Sequence, residues 1–386
     1  MEDFYLKGDN MKNQKLCMIP GPTPVLRSIQ NEMGKETISF KDPSFVEDFL
    51  SVIDDMKNLW SSEEAFVISG SGTLAMEMAI ANTLKDGDNC LVISHGYFGD
   101  RFIDMLQRRN INVDVMSSKW GKTVNVSDIK QKLRGKTYQA VTVTHVDTST
   151  GVKADISEIG KAVNDLENTL LIVDGVCSTA AEKENLDEMN IDILLSASQK
   201  AFGVAPGLAL LWASKKAMKR REELGEIRDT YMDFYKWLPI MKNPMKYFGT
   251  PPVNLIWALK ESLSIIKNEG LNNRFNRHIN DSKRIREALL ELGFSILADE
   301  ECQASTLSNV IYPEGFDDSS FRQELANQGV VVAGGLGEYA GKLFRLGHMG
   351  NIDEHTIFST ISAIERVLIK MGKTKQVGKG LYKLLG

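Results

Sequence analysis

AFVISGSGTLAMEMAI, residues 65–80, decides the fold. A β-rich apolar run, AFVIS, passes through SGSGT straight into TLAMEMAIANTL, whose apolar positions fall near helical spacing. The same alternation continues down the chain. NCLVIS (89–94), NVDVMS (112–117), AVTVTHV (140–146), LLIVD (170–174), DILLSAS (192–198) and LALLWA (208–213) are further strand candidates, separated by the helical patterns FGDRFIDMLQRR, VSDIKQKLRG and DISEIGKAVNDL. Short apolar strands alternating with helices predict an α/β unit built on a mostly parallel, seven-stranded sheet covered by helices.

The texture changes after Pro251 and Pro252, where VNLIWALKESLSIIKNEG opens a long helical stretch, followed by a basic helix and the strands SNVIYP and VVVAGG. The expected division is therefore a leader or arm over 1–18, a large domain over 19–250 and a smaller C-terminal α/β domain over 251–386. IDEHTIFSTISAIERVLIK is amphipathic and reads as a packed helix. The tail beyond it, MGKTKQVGKGLYKLLG, carries lysines and no acids, which suits a packed or solvated terminus and also contact with an anion.

A chain of 386 residues, 42% hydrophobic and 25% charged, can bury a large core and is not a disordered or disulfide-stapled chain. Its net charge of −5 gives no global field for nucleic acid or anionic lipid. The longest apolar runs fall far short of the roughly 20 residues that span a bilayer, and the N-terminus lacks the apolar core of a secretory signal. A cytoplasmic location is expected. Cys17, Cys90, Cys177 and Cys302 form no CxxC pair, so reduced thiols and no metal site are expected.

Three seams carry chemistry. In SGSGT, the amides of Ser71, Gly72 and Thr73 stand at a helix N-terminus, which attracts phosphate; two glycines also make an ordinary strand-to-helix turn. Asp174 ends the run LLIVD, at the rim where open α/β sheets bind ligands, or as a turn aspartate. Lys200 follows DILLSASQ, so it reaches the same rim if it is not simply a surface charge. One cofactor asks for all three, because pyridoxal 5′-phosphate has a phosphate for the amides, a ring nitrogen for the carboxylate and an aldehyde for the lysine. Phe98, in HGYFGDR, is either a face for that ring or part of the core.

On these residues the chain resembles the class V aminotransferases of the fold-type I pyridoxal phosphate enzymes, in the alanine:glyoxylate and serine:pyruvate branch. MIPGPTPV (18–25), SGSGT, HVDTSTGV (145–152), VDGVCS, SASQKAF, YFGTPPV (247–253) and GGLGEYAGKLFRLGHMG (334–350) carry the resemblance, which covers most of the chain.

The resemblance implies that Lys200 is the Schiff-base lysine and proton shuttle, and that Asp174 partners the pyridine nitrogen. It implies that Val176 lies under the ring opposite Phe98, where the family often has tryptophan. It implies that Thr148 bonds near the ring oxygen and the substrate, and that Ser71, Gly72, Thr73 and Gln199 hold the phosphate, the family frequently having histidine at the position of Thr73. Tyr247 and Thr250 resemble the pair that reaches the phosphate from the neighbouring subunit, which implies a homodimer. Arg345, in LFRLG, resembles the residue that grips the substrate carboxylate, a role its planar donor fork suits. Gly21 resembles the point where main chain approaches the substrate.

The function implied is transfer of an amino group from alanine, serine or a similar amino acid to glyoxylate or pyruvate, by a ping-pong scheme. 2-Aminoethylphosphonate and ureidoglycine are alternative donors for the same constellation. A cysteine desulfurase would usually have histidine where Phe98 and Gln199 stand and a nucleophilic cysteine on a mobile loop; Cys302, in DEECQAS, lacks that motif. A regulator built on this fold would carry a DNA-binding domain, for which the few residues before the PGP loop leave no room.

Overall fold

The computed structural model describes residues 15–385. Seven strands form the main sheet: β1 (Glu64–Ser69), β2 (Asn89–Ser94), β3 (Asn112–Ser117), β4 (Ala140–Thr144), β5 (Leu170–Asp174), β6 (Ile193–Ala197) and β7 (Leu208–Ala213). Their order is β1-β7-β6-β5-β4-β2-β3. All run parallel except β7, which is antiparallel to both neighbours. Every strand read between residues 65 and 213 lies in this sheet. Helices cover both faces, so β4 to β7 are buried at every position and their sequences are mostly apolar; only the edge strand β3 is largely open.

Three helices of this unit bear on the site. The first, α1 (Pro43–Trp60), is started by Asp42, whose carboxylate accepts from the Ser44 amide, with Pro43 in the first turn. Its last residue, Trp60, packs on Trp212 of β7 at 4.9 Å between ring centres. The other two, α2 (Gly72–Ala81) and α3 (Tyr97–Gln107), begin where β1 and β2 end.

The helix after the proline pair, α4 (Val253–Glu269), corrects one expectation. The expected boundary at residue 251 places it in the second domain, but it buries Ile256, Trp257, Leu259, Leu263 and Ile266 in the core of the seven-stranded unit. Against α1, Trp257 meets Phe45 edge-on and donates from Nε1 to Asp48, and Lys267 pairs with Asp55. An apolar stripe announces that a helix is packed; it does not say against which core.

A second core lies on an antiparallel sheet of β8 (Ser295–Ile296), β9 (Leu307–Ile311), β10 (Ala333–Gly334) and β11 (Leu343–Gly347), ordered β8-β9-β11-β10. Helices α5 (Leu271–Glu291) and α6 (Glu354–Lys370) pack on it through Ile285, Leu289, Ile361 and Ile364, around Phe294, Phe321 and Phe344. The lysine-rich tail packs here as well: Leu384 is buried, and the amides of Gly378 and Gly380 donate to Glu365. Of the expected arm, residues 1–14 lie outside the described residues. Leu16–Cys17 pairs in parallel with Val330–Val331, and Met18 joins the second core.

Candidate active site

The carboxyl ends of β1, β4, β5 and β6 open onto one cleft of about 160 Å³. Ser71, Gly72, Thr73, Phe98, Thr148, Asp174, Val176, Gln199 and Lys200 all line it. The three chemical seams of the sequence therefore meet in one place. Two larger clefts, of about 600 and 570 Å³, are lined by surface charges that already pair with one another, as in Arg109–Asp229 and Arg228–Asp86 for one and Lys216–Asp192 for the other.

Asp174 is the last residue of β5 and is only 3% exposed. Its Oδ1 accepts from the Val176 amide at 2.9 Å and its Oδ2 from the Thr144 hydroxyl at 3.4 Å. Burial pushes its carboxyl up to about 6, with Asp147 adding to the rise and the Val176 amide, Thr144 and Lys200 opposing it. Among the described residues no ion pair relieves it.

Lys200 sits three residues beyond β6, and the Pro20–Thr23 loop crosses it. The amine donates to the Pro20 carbonyl, while Thr23 donates to the Gln199 and Lys200 carbonyls through its amide (3.0 Å) and hydroxyl (2.7 Å). Gly21, at φ +102°, packs against the Lys200 side chain, and any Cβ there would overlap Lys200 Cδ, Cε and Nζ. Glycine is needed at this crossing both for its backbone and for its lack of a side chain.

Helix α2 starts at the cleft with no side chain capping it, so its first amides face the site. A Cβ on Gly72 would come within 2.7 Å of Val176 Cγ2, so the glycine allows the helix to close against Val176. Phe98 is set by a device the sequence reading missed. Asp147, fully buried, accepts from the amides of Phe98 (2.9 Å) and Gly99 (3.0 Å) at the start of α3, and from the amide and hydroxyl of Ser149. Burial raises its carboxyl while these donors oppose the rise. Thr148 follows it in the same turn, and the Asn309 side chain of β9 donates to the neighbouring Ser149 carbonyl at 2.6 Å.

Arg101, Cys177 and Thr144 also line the cleft and were not singled out from the sequence. Helical spacing could have revealed Arg101, which stands three residues after Phe98 on α3; nothing local marks the others. Burial raises the Cys177 thiol.

Four expected residues are not in the cleft lining: Gly21, which packs against Lys200, and Arg345, Tyr247 and Thr250. Arg345, on β11, is half-buried and its Nε donates to the Gly334 carbonyl at 2.8 Å. Burial lowers its guanidinium, and Cys177 and Asp147 oppose that shift. Tyr247 is 67% exposed, with its ring 5.9 Å from Phe40, and Thr250 is exposed in the same segment. Cys302 is buried elsewhere, its thiol turned to the carbonyls of Gly121 and Asp299.

The site fits pyridoxal 5′-phosphate on its own chemistry. An uncapped helix start suits a phosphate, and the buried Asp174 carboxylate lacks a cation that a protonated ring nitrogen would be. An amine stands within the same walls. No helix among the described residues is long and apolar enough to cross a membrane.

The family model described as aminotransferase class-V matches residues 35–343. An uncharacterised aminotransferase of Methanocaldococcus jannaschii is 36% identical over 96% of this chain and 97% of its own. The L-aspartate–glyoxylate aminotransferase of Paracoccus denitrificans is 33% identical over 96% and 95%. The crystal structure of an alanine–glyoxylate aminotransferase from Nostoc sp. superposes with a TM-score of 0.88, at 31% identity, over 92% of this chain and 95% of that one. The chain belongs to the class V aminotransferases and is a pyridoxal-phosphate-dependent enzyme of fold type I.

Proposed function

We propose that the enzyme moves an amino group from a small amino acid, such as alanine, serine or aspartate, to glyoxylate or pyruvate, in two half-reactions. The observation that carries this reading is the convergence of Lys200, Asp174 and the Ser71–Thr73 turn on one cleft. Two of the relatives above are named for glyoxylate and differ in donor, aspartate in one and alanine in the other. Glyoxylate is therefore the acceptor we favour.

When bound, pyridoxal phosphate supplies an electron-withdrawing ring that acidifies the Cα proton of the amino acid. The protein does the rest. Asp174 would keep positive charge at the ring nitrogen, and Ser71, Gly72, Thr73 and Gln199 would hold the phosphate. Phe98 and Val176 would flank the ring, and Thr148 would offer a hydroxyl beside it. Lys200 would hold the cofactor at its carbonyl carbon, and its amine is the base placed to carry a proton to and from the substrate's Cα. Arg345 grips the substrate carboxylate from the small sheet, and Gly21 leaves room for it. Tyr247 and Thr250, outside their own cleft, complete the phosphate site of a second subunit in a homodimer. Four unpaired cysteines support a cytoplasmic location.

Holoenzyme mixed with one amino acid at a time tests the reading. L-alanine, L-serine or L-aspartate is expected to bleach the visible band of the lysine-bound cofactor, and glyoxylate or pyruvate to restore it. No conversion with any donor, including 2-aminoethylphosphonate and ureidoglycine, overturns it. Sulfide release from L-cysteine would favour a desulfurase, against which the buried Cys302 thiol already stands.

A further inference from the structure

We propose that Arg101 is a ligand of the cofactor's phosphate, supplied by the chain to its own cleft; this rests on the Ser71–Thr73 turn being the phosphate site. The Arg101 guanidinium donates from Nη1 to the Thr73 hydroxyl at 3.2 Å, so it stands at that turn. It is held over aromatic faces, with its central carbon 4.9 Å from the Phe98 ring centre and 5.7 Å from that of Tyr97. Phe98 and Arg101 share one face of α3, and Asp147 fixes the start of that helix. The aromatic side chain at the ring and the cation at the phosphate are thus positioned by one element.

Charge balance points the same way. A phosphate monoester carries about −1.5 to −2 charges near neutrality, and a helix start offers only about half a positive charge. Among the residues lining the cleft, Arg101 and Lys200 alone are cationic. Lys200 is committed to the carbonyl end of the cofactor. Arg101 has no carboxylate within ion-pair distance among the described residues, so its charge is open to a ligand. A planar guanidinium matches phosphate oxygens, and the Thr73 hydroxyl can accept from Arg101 while donating to the same group.

The test separates phosphate binding from ring binding. The full-length protein is stripped of cofactor and titrated with pyridoxal 5′-phosphate and with pyridoxal, which lacks the phosphate. Arg101→Met is expected to weaken pyridoxal phosphate about 10- to 100-fold while leaving pyridoxal within about twofold, with part of the loss recovered in Arg101→Lys. Inorganic phosphate should compete with the cofactor less well in the Met variant than in the parent. Equal weakening of both ligands would overturn the proposal and make Arg101 a support for Phe98. Unchanged cofactor affinity would also overturn it, and a raised KM for aspartate alone would then assign Arg101 to a substrate carboxylate. A parent protein that binds pyridoxal as tightly as pyridoxal phosphate would refute the phosphate site itself, before any substitution is made.

Discussion

Asp174 carries a charge that its surroundings oppose. Moving a carboxyl from its ordinary 3.8 to about 6 corresponds to roughly 3 kcal/mol. Between those values the folded chain keeps a proton that the unfolded chain releases. The stability this contributes is fully present below pH 4 and lost as pH rises through 6. Asp174→Asn stays neutral and escapes the loss. The cofactor-free variant is therefore expected to melt a few degrees above the cofactor-free parent at pH 8, with the gap closing towards pH 4, in parallel thermal melts. With cofactor bound the order should reverse, because asparagine cannot balance a protonated ring nitrogen, and Cα proton removal should slow. A gap that keeps one sign in both forms would show that Asp174 does not face the ring.

At the scale of elements, the start of α3 is held from another loop, where the Ser149 hydroxyl accepts from the Tyr97 amide at 2.9 Å and Asp147 accepts from the next two amides. Asp147 accepts hydrogen bonds from amides at the positive end of that helix and ties the Thr148–Gly151 turn to it. Asp147→Ala strands these donors and is expected to lower unfolding free energy by about 2 kcal/mol in urea titrations, and to weaken pyridoxal as much as pyridoxal phosphate, since it displaces Phe98. That pattern is the opposite of the one expected for Arg101. The strands were legible because β4 to β7 are buried on both faces and their apolar runs admit no other reading. Lys200, Asp174 and Ser71–Thr73 were legible because each closes such a run. Asp147 was not, since its partners lie some fifty residues earlier on another loop and no local pattern announces them. The allegiance of α4 was hidden for a similar reason: Trp257 and Leu263 say only that one face is covered.

The molecule as a whole is held together around the cleft by buried polar bolts. Arg274, near the start of α5, is fully buried and donates to the carbonyls of Ala180 and Ala201 at 2.8 and 2.7 Å, in the loops that follow Val176 and Lys200. It also pairs with Glu269 at 2.7 Å. Burial lowers the Arg274 guanidinium and Glu269 opposes the shift. Arg274→Met leaves two carbonyls unpaired, and a loss of about 3–5 kcal/mol is expected in chemical unfolding; a loss below about 1 kcal/mol would show that water replaces these bonds without cost. The N-terminal strand makes a different kind of link. Leu16 to Met18 are stitched to the small unit through Val330, Val331 and Gly347, while Thr23 is fastened to Gln199 and Lys200 of the large one. Only a handful of residues separate the two anchorages, and Gly21 rests on the lysine between them. The ribbon is too short to take up slack, so any tilt of one half of the enzyme against the other is felt at the Lys200 amine.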